Sequence, residues 1–123
     1  MSKKNKVLIV EDEATISELY KTKLEAGGFE VFVANNGADG LKIAKEKKPH
    51  IVILDVILPQ LDGFSVLEEI KKDSSTKKIP VIMLTNLGTD EDKEKGKKMG
   101  AQDYLVKSNL TPAQVEEVIK KNI

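Results

Sequence analysis

Five short aliphatic runs alternate with five amphipathic stretches along the chain, and this alternation constrains the fold more than any other feature. The runs occupy residues 6–10, 30–34, 51–54, 81–84 and 104–106. Each run is nearly continuously apolar, as expected of strands that are covered on both faces. The pattern therefore predicts an α/β fold with a doubly wound, five-stranded parallel sheet.

The stretches between these strands carry apolar residues at helical spacing. Gly27 and Gly28 end the first predicted helix, and Pro49 ends the second, which covers residues 37–48. The apolar faces predicted for the first three helices are Ile16, Leu19, Tyr20 and Leu24; Ala38, Leu41 and Ala44; and Phe64, Leu67 and Ile70.

The last two predicted helices differ in the sequence signals that indicate them. Residues 89–99 are very polar, with acids first and lysines after them, which matches the helix dipole but leaves only a thin apolar stripe. The final helix starts at Thr111, where Pro112 and Gln114 complete a capping-box pattern. Its predicted buried stripe is Val115, Val118 and Ile119.

Composition excludes several classes of protein. A chain of 123 residues has room for one core, so we expect a single domain over residues 1–123. The absence of cysteine excludes disulfides, thiol catalysis and thiolate metal sites. Every basic residue is a lysine, and without the arginine fork we expect no direct nucleic-acid recognition. No apolar run is long enough to insert into a membrane, and no signal-peptide pattern is present, so we expect a cytoplasmic protein.

Candidate site residues follow four of the five predicted strands directly. Glu11 and Asp12 follow the first strand, Asp55 the third, Thr85 the fourth and Lys107 the fifth. Ligands of such sheets bind outside the carboxyl ends of the strands, so these side chains are expected to converge on one edge.

The chemistry of these side chains suggests a phosphoryl site. Three carboxylates that lie close together repel one another, and a hard divalent cation such as Mg²⁺ relieves that repulsion through oxygen ligands. A hydroxyl and an ammonium group opposite the metal suit an anion such as a phosphoryl group. The metal ion and the ammonium group would share the negative charge of its oxygens. Asp55 is the candidate nucleophile, because an aspartyl phosphate is a known type of covalent intermediate.

The same residues give the chain a specific family resemblance. The segment IVILDVILPQLDGFSVL around Asp55, the acidic pair in VEDE, the hydroxyl in LT and the lysine in DYLVK occur in this order and spacing. In this combination the sequence resembles a receiver domain of two-component response regulators, of the chemotaxis-receiver type. The resemblance implies a flavodoxin-like fold with strand order 2-1-3-4-5.

The resemblance also implies a role for each site residue. Asp55 would accept a phosphoryl group from a phosphohistidine on a sensor histidine kinase or a phosphotransfer protein. Asp12 and Asp55 would bind Mg²⁺ directly, with Mn²⁺ as an alternative ion. Glu11 would bind it through water, and the backbone carbonyl of Ile57 would supply a further ligand. Lys107 would pair with the phosphoryl oxygens.

Two further residues are implied to transmit the signal. Thr85 would move to hydrogen-bond the phosphoryl group, and Tyr104 would turn inward behind it. The face made by the fourth helix, fifth strand and fifth helix would then change its preference for a downstream partner or effector domain. Such a domain catalyses its own phosphorylation and slow dephosphorylation and is not an enzyme in the usual sense.

Three residues depart from the family pattern. Leu58 stands where methionine is common, which is a conservative change. Asn86 follows Thr85 where a small residue is usual, which affects access for the phosphodonor. Ser108 follows Lys107 where proline is usual, which affects the expectation of a cis peptide bond there.

Three other functions remain as alternatives. A degenerate receiver would only bind partners, and Asn86 is the feature that favours it. A phosphatase of the haloacid dehalogenase type would also form an aspartyl phosphate but needs an acid at the position of Ile57. A flavin or nucleotide carrier needs backbone amides and hydroxyls after the first strand, where residues 11–13 are all acidic.

Overall fold

A computed structural model describes residues 4–86 and 89–123 of the chain, and in this part the structure contains one parallel sheet. The strand order is β2-β1-β3-β4-β5, which confirms the predicted doubly wound topology. The third and fourth strands extend one residue beyond their predicted ends, and the fifth begins one residue earlier. The strands are β1 (Lys6–Val10), β2 (Glu30–Ala34), β3 (Ile51–Asp55), β4 (Val81–Thr85) and β5 (Asp103–Val106).

A helix follows each strand, and a short 3₁₀ turn at Lys107–Asn109, which the sequence did not indicate, precedes the last helix. The capping box of Thr111 and Gln114 is present as predicted, with both reciprocal hydrogen bonds formed. The peptide bond between Lys107 and Ser108 is trans, like the others in the described segments. The helices are α1 (Ala14–Ala26), α2 (Gly37–Lys47), α3 (Gly63–Lys72), α4 (Asp90–Lys98) and α5 (Pro112–Lys121).

Two apolar layers enclose the sheet because successive side chains of each buried strand point to opposite faces. Leu8 and Val10 of β1 lie in the layer with α2 and α3, and Tyr104 lies in the same layer. Val7 and Ile9 face the other way, into the layer formed with α1 and α5. The residues that directly follow the strands lie at the carboxyl ends of the sheet, at the edge of these two layers.

Two side chains that helical spacing predicted to be buried are exposed. Leu19 is 56% exposed, because Tyr20 and Leu24 form the core-facing line of α1 and Leu19 is rotated toward solvent. Ala38 is also exposed, and Gly40 takes its place against the sheet. A methyl group on Gly40 would lie 2.8 Å from Cγ2 of Val10, so α2 sits too close to β1 for a larger residue there.

No helix within residues 4–86 or 89–123 is long and apolar enough to cross a membrane.

Candidate phosphoryl and metal site

Strand register brings the predicted site residues to one edge of the sheet. Val10 pairs with Leu54, so Glu11 and Asp55 emerge from adjacent strands at the same level. Thr85 pairs with Val106 at the end of β4, and Lys107 follows directly. The sheet thus places a carboxylate from β1, a carboxylate from β3 and an ammonium group from β5 beside one another.

Three carboxylates form a compact cluster at this edge. One oxygen from each of Glu11, Asp12 and Asp55 lies within 4.8 Å of the others. Glu11 is 3% exposed and Asp55 is also buried, whereas Asp12 is exposed. The cluster therefore has a buried side held by the sheet and an open side at Asp12.

Lys107 bridges the two buried carboxylates. Its Nζ is 2.9 Å from Oδ2 of Asp55, contacts Oε1 of Glu11, and lies 3.9 Å from Oε1 of Glu13. Burial disfavours the charged form of Lys107, but the hydrogen bonds to Glu11 and Asp55 outweigh it and raise its pKa above the ordinary value. The lysine therefore stays cationic although only 8% of it is exposed.

The burial and the charges of this cluster act on the pKa of Glu11. Burial raises its pKa to about 7, and the neighbouring Asp55 carboxylate adds to the increase, while Lys107 works against it. One lysine does not compensate three nearby acids. The site consequently has an excess of negative charge, which a divalent cation would neutralise.

The loop after β3 shapes the surroundings of Asp55. The amide of Ile57 donates to Oδ1 of Asp55 at 3.3 Å, and Ile57 is 59% exposed. The loop closes through a bond of 2.8 Å from the Gly63 amide to the Val56 carbonyl. A Cβ on Gly63 would lie 2.1 Å from the Asp55 carbonyl oxygen, so only glycine permits this close return.

Thr85 and Tyr104 lie on neighbouring strands beneath this edge. Thr85 is buried at the end of β4, and Tyr104 is 6% exposed in β5. Burial raises the pKa of Tyr104, and a side-chain hydrogen bond with Thr85 acts in the opposite direction. The tyrosine that the resemblance implied would turn inward thus already points inward here. Asn86, beside Thr85, is exposed.

Sequence reasoning missed two features of the site. Glu13 stands just before α1, makes no side-chain cap there, and its carboxylate approaches Lys107, a contact that the sequence analysis did not include. The close approach of Gly63 to the Asp55 carbonyl was likewise not predicted. The three successive acids at 11–13 were the available signal for the first feature, whereas contact between distant residues left no local signal for the second.

Comparison with known proteins decides the family. The response regulator receiver domain matches residues 7–120. The chain belongs to the receiver domain family. Protein PilH of Pseudomonas aeruginosa is 40% identical over 117 residues, which cover 94% of this chain and 92% of PilH. A probable transcriptional regulator, ycf27 of Porphyra purpurea, is 41% identical over 119 residues, which cover 97% of this receiver domain but 47% of ycf27. The chain thus spans about half the length of the first curated relatives it matches.

Solved receiver structures share the whole fold. Chemotaxis protein CheY4 of Vibrio cholerae has a TM-score of 0.91 at 30% identity, and the match covers 98% of this chain and 100% of CheY4. The receiver domain of sensor histidine kinase PA1611 from Pseudomonas aeruginosa has a TM-score of 0.87 at 25% identity, with 98% of both chains covered. That structure carries a magnesium ion coordinated in its active-site cleft. Receiver domains are phosphorylated by histidine kinases, switch with phosphorylation and bind Mg²⁺ at an acidic site.

The donor set of this chain fits such an ion. Glu11, Asp12 and Asp55 offer only oxygen ligands, which Mg²⁺ prefers, and the exposed position of Asp12 leaves room for water ligands. The excess negative charge of the cluster provides the driving force for binding.

Proposed function

We propose that this chain is a phosphorylation switch in which Asp55 accepts a phosphoryl group from a phosphohistidine of a sensor histidine kinase or a phosphotransfer protein. The observation that carries the proposal is the buried bridge from Lys107 to Asp55 and Glu11 inside a three-carboxylate cluster. A lysine at this place can neutralise a phosphoryl oxygen next to the carboxylate that attacks phosphorus.

The proposed reaction needs few protein groups. A carboxylate oxygen of Asp55 attacks phosphorus, the new P–O bond forms as the P–N bond of the phosphohistidine breaks, and the imidazole leaves. Lys107, already 2.9 Å from Oδ2 of Asp55, would turn to the phosphoryl oxygens and hold their negative charge. Mg²⁺, when bound, supplies further positive charge; Asp12 and Asp55 would hold it directly, Glu11 through water, and Ile57 through its carbonyl.

The proposed output runs through the adjacent strands. Thr85 would turn its hydroxyl to the phosphoryl group, with Tyr104 packed behind it. The α4–β5–α5 face would then change its affinity for a downstream protein or an effector domain. The proposed switch acts in the cytoplasm. This chain would neither contact nucleic acid directly nor insert into a membrane.

The test is the intact mass of the protein after incubation with a small phosphodonor and Mg²⁺. The wild type should gain one phosphoryl group, and Asp55→Ala should gain none. A matched reaction with EDTA in place of Mg²⁺ should give little product. Absence of any gain in the wild type would favour a degenerate receiver that only binds partners, whereas equal gain in both proteins would exclude Asp55 as the acceptor.

Slow loss of the phosphoryl group is a further expected property. The receiver resemblance points to the positions two after Asp55 and two after Thr85 as those that orient the attacking water. They hold Ile57 and Leu87, which cannot hydrogen-bond water, and Leu87 lies outside the described residues. Because Ile57 is exposed and its amide contacts Asp55, Ile57→Asn should speed hydrolysis by about tenfold by helping to align water for in-line attack.

The measurement is the decay of the phosphorylated mass after the donor is removed. Leu19→Asn is the matched control, since Leu19 is a similarly exposed apolar residue on α1, and its decay should equal that of the wild type. Unchanged or slower decay in Ile57→Asn would contradict the role given to this position, and Ile57→Asn combined with Leu87→Glu should be faster than the single variant.

A further inference from the structure

Helix α4 contacts the sheet through a glycine. It is the most polar of the helices, and Gly96 is its buried residue. A methyl group on Gly96 would lie 3.1 Å from Cδ2 and 3.6 Å from Cε2 of the Tyr104 ring, and 3.8 Å from Cγ of Met83. The edge of the tyrosine ring therefore lies tightly against position 96, and a side chain there would require the ring to shift by a few tenths of an ångström.

Glycine is a poor choice for the interior of a helix unless packing requires it. Alanine is favoured over glycine there because glycine loses more backbone freedom on folding. Gly96 has an ordinary helical backbone without positive φ, so its conformation does not explain the residue. The contact with Tyr104 does explain it, since the first distance is shorter than side-chain packing ordinarily allows.

The inward tyrosine lies beside the proposed switch hydroxyl. Tyr104 pairs with Met83 in the sheet, two residues before Thr85, and its hydroxyl shares a side-chain hydrogen bond with Thr85. Lys95, next to Gly96, places its ammonium 4.4 Å from the ring centre of Phe64 on α3. This cation–π contact is a second interaction of this part of α4 with the rest of the fold.

We propose that Gly96 is a positioning residue: by lacking a side chain it keeps space under α4 for Tyr104, so that Tyr104 is inward, beside Thr85, before Asp55 is phosphorylated. This inference rests on the proposed function only for the switching role of Thr85 and Tyr104. The packing of the tyrosine ring under Gly96 belongs to the protein without a phosphoryl group.

The first experiment measures the exposure of Tyr104. The chain has two tyrosines and no tryptophan. In a Tyr20→Phe background, Tyr104 is therefore the one tyrosine whose fluorescence is measured. In this background Gly96→Ala should raise acrylamide quenching of Tyr104 at least about twofold, because the added methyl pushes the ring outward. Lys97→Ala, an exposed alanine substitution in the same helix, should leave quenching unchanged.

Phosphorylation should bring the acrylamide quenching of the two proteins closer together. With phosphodonor and Mg²⁺, the parent protein should show little change in quenching, since Tyr104 is already inward. Gly96→Ala should show a decrease, as phosphorylation draws the ring back. Equal quenching of Gly96→Ala and its parent without phosphodonor would overturn the inference, and so would a large decrease in the parent on phosphorylation.

A double-mutant cycle separates positioning from helix propensity. Gly96→Ala should raise the urea midpoint in a Tyr104→Val background, where the ring is absent and alanine favours the helix. In the presence of Tyr104 the same change should leave the midpoint unchanged or lower it. An equal increase in both backgrounds would overturn the inference. The urea midpoints and the first quenching comparison need no phosphodonor, so their failure is distinguishable from a failure of Asp55 to gain mass.

Discussion

Replacing Lys107 by methionine is expected to lower the free energy of unfolding at pH 8 by about 3–5 kcal/mol, the cost of leaving one partner of a buried ion pair uncompensated. Methionine keeps much of the length and apolar volume of lysine, so packing is largely preserved. What is lost is the ammonium group that contacts Glu11 and lies 2.9 Å from Asp55. Both carboxylates would then be buried without a counter-charge.

The loss should depend on pH because Lys107 lowers the pKa of Glu11. Without the lysine, that pKa rises further above the value in the unfolded chain. An acid whose pKa is raised by folding destabilises the fold as pH rises through the interval between the two values. The deficit of Lys107→Met should therefore be large at pH 8 and smaller near pH 5, where Glu11 can bind a proton.

Urea unfolding in EDTA at both pH values measures this effect. Lys97→Met, at an exposed position of α4, is the matched control and should change stability by no more than about 0.5 kcal/mol. Adding Asp55→Asn to Lys107→Met should recover part of the loss by removing one uncompensated charge. A deficit as small as that of the control would mean that Lys107 does not hold the two carboxylates together in solution.

The sheet and its polar edge could be predicted because both depend on local patterns. The aliphatic runs mark buried strands, and parallel strands necessarily place the residues that follow them on one edge. Glu11, Asp55 and Lys107 were therefore assigned to a common site without knowledge of any contact, and the register of β1, β3 and β5 brings them together.

Features that depend on the fit between distant elements could not be predicted from those patterns. Helical spacing placed Leu19 in the core, but the direction in which α1 faces the sheet exposes it. The polar pattern of residues 89–99 did not indicate the packing of Gly96, because the ring of Tyr104 that lies against it belongs to β5. The inward position of Tyr104 is likewise decided by packing under α4.

Asp55→Asn is expected to stabilise the metal-free protein by about 1–2 kcal/mol at neutral pH, as in other functional sites where charge is retained at the expense of stability. Asparagine keeps the shape of the side chain and its capacity to accept from the Ile57 amide. The substitution removes one of three clustered carboxylates and leaves Lys107 paired with Glu11. The gain from reduced repulsion should exceed the loss of one charged contact with Lys107.

The pH dependence of this gain follows from Glu11. Burial raises its pKa to about 7 from an ordinary value of 4.5, and the carboxylate of Asp55 contributes to that increase. Since the folded state binds the proton more tightly than the unfolded state does, the free energy of unfolding of the wild type falls as pH rises between these values. Asp55→Asn should weaken that fall, so its advantage should be largest at pH 7–8 and shrink toward pH 4.

Mg²⁺ should raise the free energy of unfolding of the wild type more than that of Asp55→Asn. The ion binds the folded cluster and hardly binds the unfolded chain, so it stabilises the wild type by mass action. It should stabilise Asp55→Asn much less, because a neutral amide is a poorer ligand than a carboxylate. Urea unfolding of both proteins with EDTA and with Mg²⁺, at pH 5 and pH 7.5, measures both effects. If the metal-free variant is less stable than the wild type, or if both proteins respond equally to Mg²⁺, then Glu11, Asp12 and Asp55 do not share one cation site.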